Sequence, residues 1–113
     1  MRRLVAIAIV LQAGLLLFHP GLLPVWTDER ATITTAPQPP ARILSALAAD
    51  VHPPLYLLAA HVWAQLPLPG SLPERLRVLS AVFALLATVA LYPLLVRLQN
   101  TEARLWFLGL WVF

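Results

Sequence analysis

Apolar residues along the chain fall into runs of different length, separated by polar stretches. Two runs are long: residues 4–23, interrupted only by Gln12, His19 and a Pro-Gly pair, and residues 75–98. A helix rises ~1.5 Å per residue, so about 20 apolar residues cross a ~30 Å hydrocarbon core. The pattern therefore predicts a transmembrane helix over each of these two runs.

Two further apolar runs are too short to cross. Residues 53–66 precede a PLPGSLPE turn, and we expect an interfacial helix there, with Tyr56, His61 and Trp63 at the depth of the headgroups. A steeply tilted or re-entrant helix is the alternative. Residues 105–113 have the pattern of a truncated third transmembrane helix. We expect the sequence to be the N-terminal piece of a longer polytopic protein.

The stretch over residues 24–52 is polar and is expected to form an outer loop. Within it, Thr27 or Asp28 is predicted to cap a short helix that Pro37 ends, and residues 41–49 are predicted to form a second one. The expected fold class is all-α: a polytopic membrane protein fragment with two transmembrane helices, juxtamembrane helices in the first outer loop, and the start of a third transmembrane helix.

The composition agrees with a membrane protein. Hydrophobic residues make up 60% of the chain and charged residues 12%, whereas about 25% of residues are charged in a typical globular domain. The net charge is +3, but the arginines are scattered, so we expect no nucleic-acid partner. The absence of cysteine excludes disulfides, thiolate metal sites and cysteine nucleophiles.

The arginines also predict the orientation of the chain. Arg2 and Arg3 precede the first long run, Arg97 lies at the end of the second, and Arg104 follows it. The positive-inside rule then places the N-terminus in the cytoplasm and residues 24–52 outside, in a multi-pass protein of the plasma (inner) membrane. A cleavable signal peptide would begin in the same way. The length of the run and the lack of a small-x-small cleavage site favour a retained helix.

The first candidate for chemistry is TDER, residues 27–30. Two adjacent carboxylates, Asp28 and Glu29, at a membrane surface could supply a general base or bind a metal. The alternative is a helix cap with solvated charges, which the spacing alone favours.

The second candidate is DVHPPLY, where Asp50 and His52 stand beside Pro53 and Pro54. A proline holds the preceding residue extended, which would fix His52 in place. A plain interfacial histidine is an equal alternative. The three histidines show no paired spacing, so no metal site is predicted from them.

Taken in order, the stretches WTDERATIT, HPPLYLLAAHVWAQLP and RLRVLSAVFALLATVALYPLLVRL resemble the N-terminal region of glycosyltransferase family 39. This family contains protein O-mannosyltransferase-like and aminoarabinose-transferase-like enzymes of the glycosyltransferase C superfamily. The resemblance covers essentially all of residues 1–113, and the combination of the three motifs is far more specific than any one of them.

The resemblance implies an inverting enzyme that moves a sugar from a polyprenyl-phosphate donor to a hydroxyl acceptor on a protein, lipid or glycan at the non-cytoplasmic face. It implies that Asp28 is the general base and that Glu29 orients the acceptor or assists Asp28. It also implies that substrate-binding residues of a second motif form one wall of the same substrate cavity. Arg30 is a weak local candidate for binding the donor phosphate. The wall residues are His52, Pro53, Pro54 and Tyr56.

No cofactor is certain from the sequence, and a requirement for a divalent metal stays open. We expect the fragment alone to be inactive. The rival interpretation is a non-catalytic small membrane protein, a transporter or an assembly subunit, in which Asp28 and Glu29 cap a helix and the prolines only shape a turn.

Overall fold

The structure of the chain is a computed structural model that describes residues 2–48, 54–97 and 100–112. In this part the fold is all-α, as predicted, with six helices. The chain divides into two compact units, one formed by Met1–His19 with Ser80–Phe113 and one formed by Pro20–Leu79. The helices are α1 (Arg2–Leu17), α2 (Thr27–Thr35), α3 (Pro40–Leu47), α4 (Pro54–Gln65), α5 (Leu72–Arg97) and α6 (Thr101–Val112).

One helix of the described residues, α5, is long and apolar enough to cross a membrane. The prediction of two such helices is wrong, because α1 ends at Leu17 and does not extend to residue 23. A residue before proline avoids the helical conformation, and His19, before Pro20, has a positive φ of 49°. At ~1.5 Å per residue α1 is about 24 Å long, which is short of a ~30 Å core.

The unit formed by residues 1–19 and 80–113 has a small apolar core. Val5 and Ala8 on α1 are buried together with Leu95 on α5, and α1 also contacts α6. One polar pair is buried in this unit: the Thr88 hydroxyl donates to Gln12 Oε1 at 2.6 Å. The residues packed around the core are Ile9, Tyr92 and Phe107.

The unit formed by residues 20–79 gathers α2, α3, α4 and the start of α5. Its buried cluster contains Ala36, just after α2, and Ala60 on α4, and both are fully buried. Such small residues let backbone segments approach closely, and α4 contacts both α2 and α3. Leu76 and Leu79 complete the cluster, and the side chains packed against it are Ile33, Tyr56, Trp63 and Leu72.

The two short helices predicted in residues 24–52 are present. The first, α2, ends at Thr35, before Pro37, and the second is α3, which starts with Pro40 as its first residue. The predicted cap is wrong, however. Trp26 is the N-cap residue of α2, and its backbone N–H donates to the Glu29 carboxylate at 3.1 Å. Within the described residues, no side chain caps the first-turn amides of α2; instead Glu29, in the first turn, accepts from the backbone N–H of the N-cap residue.

A helix was predicted over residues 53–66, and α4 (Pro54–Gln65) is present there; its interfacial location stays a prediction. The second long apolar run is helical from Leu72, earlier than the expected start at residue 75, because Glu74 caps this end. Its carboxylate accepts hydrogen bonds from the Ser71 backbone N–H at 2.6 Å and from the Ser71 hydroxyl at 2.9 Å. The last apolar run belongs to α6, which begins at Thr101.

Candidate functional site

The two carboxylates of TDER occupy the second and third positions of α2. Trp26 is extended, with φ −79° and ψ 162°, so the helix starts sharply at Thr27. Consecutive residues of an α-helix point about 100° apart. Asp28 and Glu29 therefore diverge: the Asp28 side chain is exposed, whereas that of Glu29 is two-thirds covered.

The carboxylate of Glu29 is held by Arg77 in the second turn of α5. The Arg77 Nε donates to Glu29 Oε1 at 2.7 Å, and Nη2 donates to Oε2 at 2.7 Å. Two parallel bonds of this kind are the strongest arrangement of an arginine and a carboxylate. They lower the pKa of Glu29 below its ordinary value, with a smaller contribution from the Trp26 amide, and partial burial opposes them.

The same guanidinium also binds backbone carbonyls of the non-helical segment before α2. Nη1 donates to the carbonyl of Pro20 and to that of Leu23 at 3.0 Å, and Nη2 donates to that of Pro24 at 3.1 Å. An arginine side chain has five N–H groups. All five are used, so Arg77 ties residues 20–24 and the first turn of α2 to the start of α5.

Asp28 differs from Glu29 in having no hydrogen-bond or ion-pair partner among the described residues. Its carboxylate can accept a hydrogen bond from an incoming hydroxyl group without breaking a contact of the fold. The Arg30 side chain is exposed in the same turn. The chemistry that this arrangement permits is proton abstraction by Asp28 beside a fixed, ionised Glu29.

The second sequence motif is only partly described. Asp50, His52 and Pro53 lie outside the described residues. Pro54 is exposed and is the first residue of α4, where a missing N–H costs nothing. Tyr56 is half-buried and packs on the Ala36–Ala60 cluster, in the same unit as Asp28 and Glu29.

His61 on α4 has contacts that explain its place in the fold. Its Nδ1 lies 2.9 Å from the carbonyl oxygen of Ala36, and its Nε2 lies 2.6 Å from Gln65 Nε2. Since a carbonyl only accepts, Nδ1 donates to Ala36, and Nε2 then accepts from the Gln65 amide. Both ring nitrogens are occupied, so His61 joins α4 to the end of α2.

Metal-binding groups do not converge in the part of the chain that the structure describes. No three histidine, aspartate or glutamate side chains there are placed to hold a metal ion. In the TDER turn, the Glu29 carboxylate is already bound by Arg77, so Asp28 would be the one acidic ligand of that pair still free.

A cavity of about 530 Å³ lies at the turn that leads into α5, and apolar groups line most of it. Arg75 shapes this turn: Nη1 donates to the Leu66 carbonyl at 2.8 Å, and the Arg75 carbonyl accepts from Trp63 Nε1 at 2.8 Å. Asp28 and Glu29 do not line the cavity. The lining residues are Pro20, Trp63, Leu68, Pro69, Gly70, Glu74, Arg75 and Val78.

Sequence reasoning did not identify Arg77 as a residue of the candidate site. One signal was present: Arg77 is the last charged residue before the uncharged stretch from Val78 to Val96. Its partner Glu29 is 48 residues away along the chain, and that pairing has no local pattern.

Comparisons of the chain with protein-family models, with curated proteins and with solved structures found no match. The function is therefore argued from the residues of this chain and from the geometry just described.

Proposed function

We propose that this chain forms the first outer loop and the adjoining helices of an inverting membrane glycosyltransferase. The donor is a polyprenyl-phosphate sugar, the acceptor is a hydroxyl group of a protein, lipid or glycan, and the reaction takes place at the outer face of the plasma membrane. The observation that carries the proposal is the contrast between two neighbouring carboxylates: Asp28 is exposed and unpaired among the described residues, and Glu29 is bound by Arg77.

Asp28 is the general base of the proposed reaction. As the acceptor oxygen forms a bond to the anomeric carbon, the bond from that carbon to the phosphate oxygen breaks, and the hydroxyl proton passes to Asp28. The polyprenyl phosphate leaves as an anion and needs cationic stabilisation more than a strong acid. A base with no competing partner suits this role.

Glu29 has a positioning role in this proposal. Both of its oxygens accept from Arg77 and one also accepts from the Trp26 amide, so it orients the turn that carries Asp28. It does not compete for the acceptor proton, because its lowered pKa makes it a weak base and both of its oxygens already accept from Arg77. The assignment of His52, Pro53, Pro54 and Tyr56 to the substrate cavity, and of Arg30 to the donor phosphate, is part of the same proposal.

The test uses the complete open reading frame that contains this chain, expressed in membranes with a pool of polyprenyl-phosphate sugar. Loss of a general base is expected to reduce transfer by about 10²–10⁴-fold, so Asp28→Asn should do so at unchanged expression. Glu102→Gln removes an exposed carboxylate from the first turn of α6 and is the matched control. It should leave transfer unchanged.

The rival function is a non-catalytic membrane subunit. One observation favours it: every contact of Glu29 is made within the fold, with Trp26 and Arg77. Under this rival, Asp28→Asn has no more effect than Glu102→Gln on any sugar transfer in the same membranes. That result would refute the assignment of Asp28 as a base.

A further inference from the structure

The segment between α1 and α2 exposes three large apolar side chains within five residues of the sequence. Leu22 is 71% exposed, Leu23 66% and Trp26 68%. Single exposed apolar residues are common on protein surfaces, but a contiguous group marks an interaction surface. We call Leu22, Leu23 and Trp26 the apolar segment surface.

This surface is presented by a backbone that is held in place. The carbonyls of Pro20, Leu23 and Pro24 all accept from the Arg77 guanidinium, and the Trp26 amide donates to Glu29. Together with the two bonds between Arg77 and Glu29, these contacts form one network of six hydrogen bonds that fixes the backbone of the segment. The three apolar side chains are nevertheless exposed. A fixed loop that still exposes its apolar side chains is suited to a partner outside the unit.

The position of Arg77 indicates what that partner is. From Val78 to Val96, α5 carries no charge, and at ~1.5 Å per residue this stretch is about 28 Å long, close to the ~30 Å of a hydrocarbon core. When α5 crosses a bilayer, Arg77 lies where the hydrocarbon begins. Residues bonded to Arg77 lie at the same depth.

We propose that the apolar segment surface inserts into the interfacial layer of the bilayer that α5 crosses. The partner is a lipid surface. Leucine side chains enter the outer part of the acyl region, the Trp26 ring occupies the headgroup depth that tryptophan prefers, and the exposed charges of Asp28 and Arg30 stay in water. This inference does not depend on the proposed glycosyltransferase activity.

The absence of cysteine in the chain makes a direct test possible. Leu22→Cys and Leu23→Cys are prepared separately, labelled with an environment-sensitive fluorophore, and inserted into vesicles of phosphatidylcholine and phosphatidylglycerol that contain a nitroxide-labelled lipid. Thr34→Cys, at an exposed position on α2, is the matched control. We expect the lipid nitroxide to quench both leucine sites several-fold more strongly than the control, and aqueous iodide to show the reverse order.

Two results would overturn the proposal. If iodide quenches the leucine sites as strongly as the Thr34 site, the surface lies in water. If neither quencher reaches them, protein covers the surface, either a second copy or further chain. A second measurement does not need cysteine variants, which could fail to fold. A brominated lipid should quench part of the tryptophan emission of the wild type, and that quenched part should be smaller in Trp26→Phe. If the quenched fraction is the same in both proteins, Trp26 does not insert into the bilayer.

Discussion

The unit formed by residues 1–19 and 80–113 is almost entirely helical, whereas the unit formed by residues 20–79 joins short helices through extended segments and turns. In a helix the backbone satisfies most of its own hydrogen bonds. Outside a helix the carbonyl groups need other partners. Among the described residues, the first unit is therefore held mainly by apolar packing, with one buried polar pair, Gln12 with Thr88, and one bond from Arg104 to the Val96 carbonyl.

In the second unit, side chains donate to backbone carbonyl groups that would bind backbone N–H groups inside a helix. Arg77 binds three carbonyls before α2, Arg75 binds those of Ala64 and Leu66 at the C-terminal end of α4, and His61 donates to the carbonyl of Ala36. Two of these three donors are permanently charged. The comparison indicates that charged hydrogen-bond donors add to the buried apolar cluster in stabilising this unit, while the first unit depends mainly on apolar contact.

The largest expected effect comes from Arg77→Met, which keeps a long apolar stem and removes all five donors. Loss of a hydrogen bond to a charged group costs roughly 1.5–3 kcal/mol, and here Glu29 and three carbonyls lose their partner together. We expect the free energy of local opening of α2 to fall by about 2–3 kcal/mol. Hydrogen exchange of the Arg30 and Ala36 amides measures this opening.

Arg77→Lys is the matched control for this experiment. It keeps the charge but cannot form the two parallel bonds or reach four acceptors at once, so its effect should lie between wild type and Arg77→Met. Amides of α1, in the other unit, provide the internal reference. Equal exchange rates in all three proteins would show that Arg77 does not hold this unit together.

Much of the local structure could be predicted from the sequence, because prolines and the composition of short segments act locally. Pro37 correctly indicated that α2 ends before it, and the helix predicted over residues 41–49 is present as α3, which begins one residue earlier, at Pro40. The extension of the first span to residue 23 was wrong, because hydrophobicity was weighed above the effect of Pro20 on His19. The carboxylate pair of the candidate site was found in the sequence. The difference between the unpaired Asp28 and the paired Glu29 was not, since it depends on Arg77 in a distant segment.

A moderate effect is expected when pH is lowered. The pKa of Glu29 is lowered in the fold, so its contribution to stability is complete above its unfolded pKa of about 4.3 and is lost as pH falls through the folded pKa. Below about pH 4 we expect the protection factors of the α2 amides to fall, which means faster exchange relative to the intrinsic rate at the same pH. The loss should be smaller than in Arg77→Met, because Arg77 keeps its carbonyl partners.

Glu29→Gln tests the origin of this pH dependence. The amide cannot titrate and accepts at only one atom, so the variant should open more readily at neutral pH and should lose most of the acid sensitivity of α2. If the acid sensitivity of the variant matched that of the wild type, another carboxylate would be responsible for it.

The smallest effect is expected in the first unit, at the buried Gln12–Thr88 pair. A hydrogen bond between neutral groups contributes about 0.5–1.5 kcal/mol to stability, so Thr88→Val should destabilise the unit by about that amount. The double variant Gln12→Leu with Thr88→Val should be closer to wild type, because neither partner is then left buried without a hydrogen bond. Unfolding in mixed micelles at neutral and acid pH measures both. If the single variant cost as much as Arg77→Met, the first unit would depend on polar contact as the second does, and the contrast between the two units would fail.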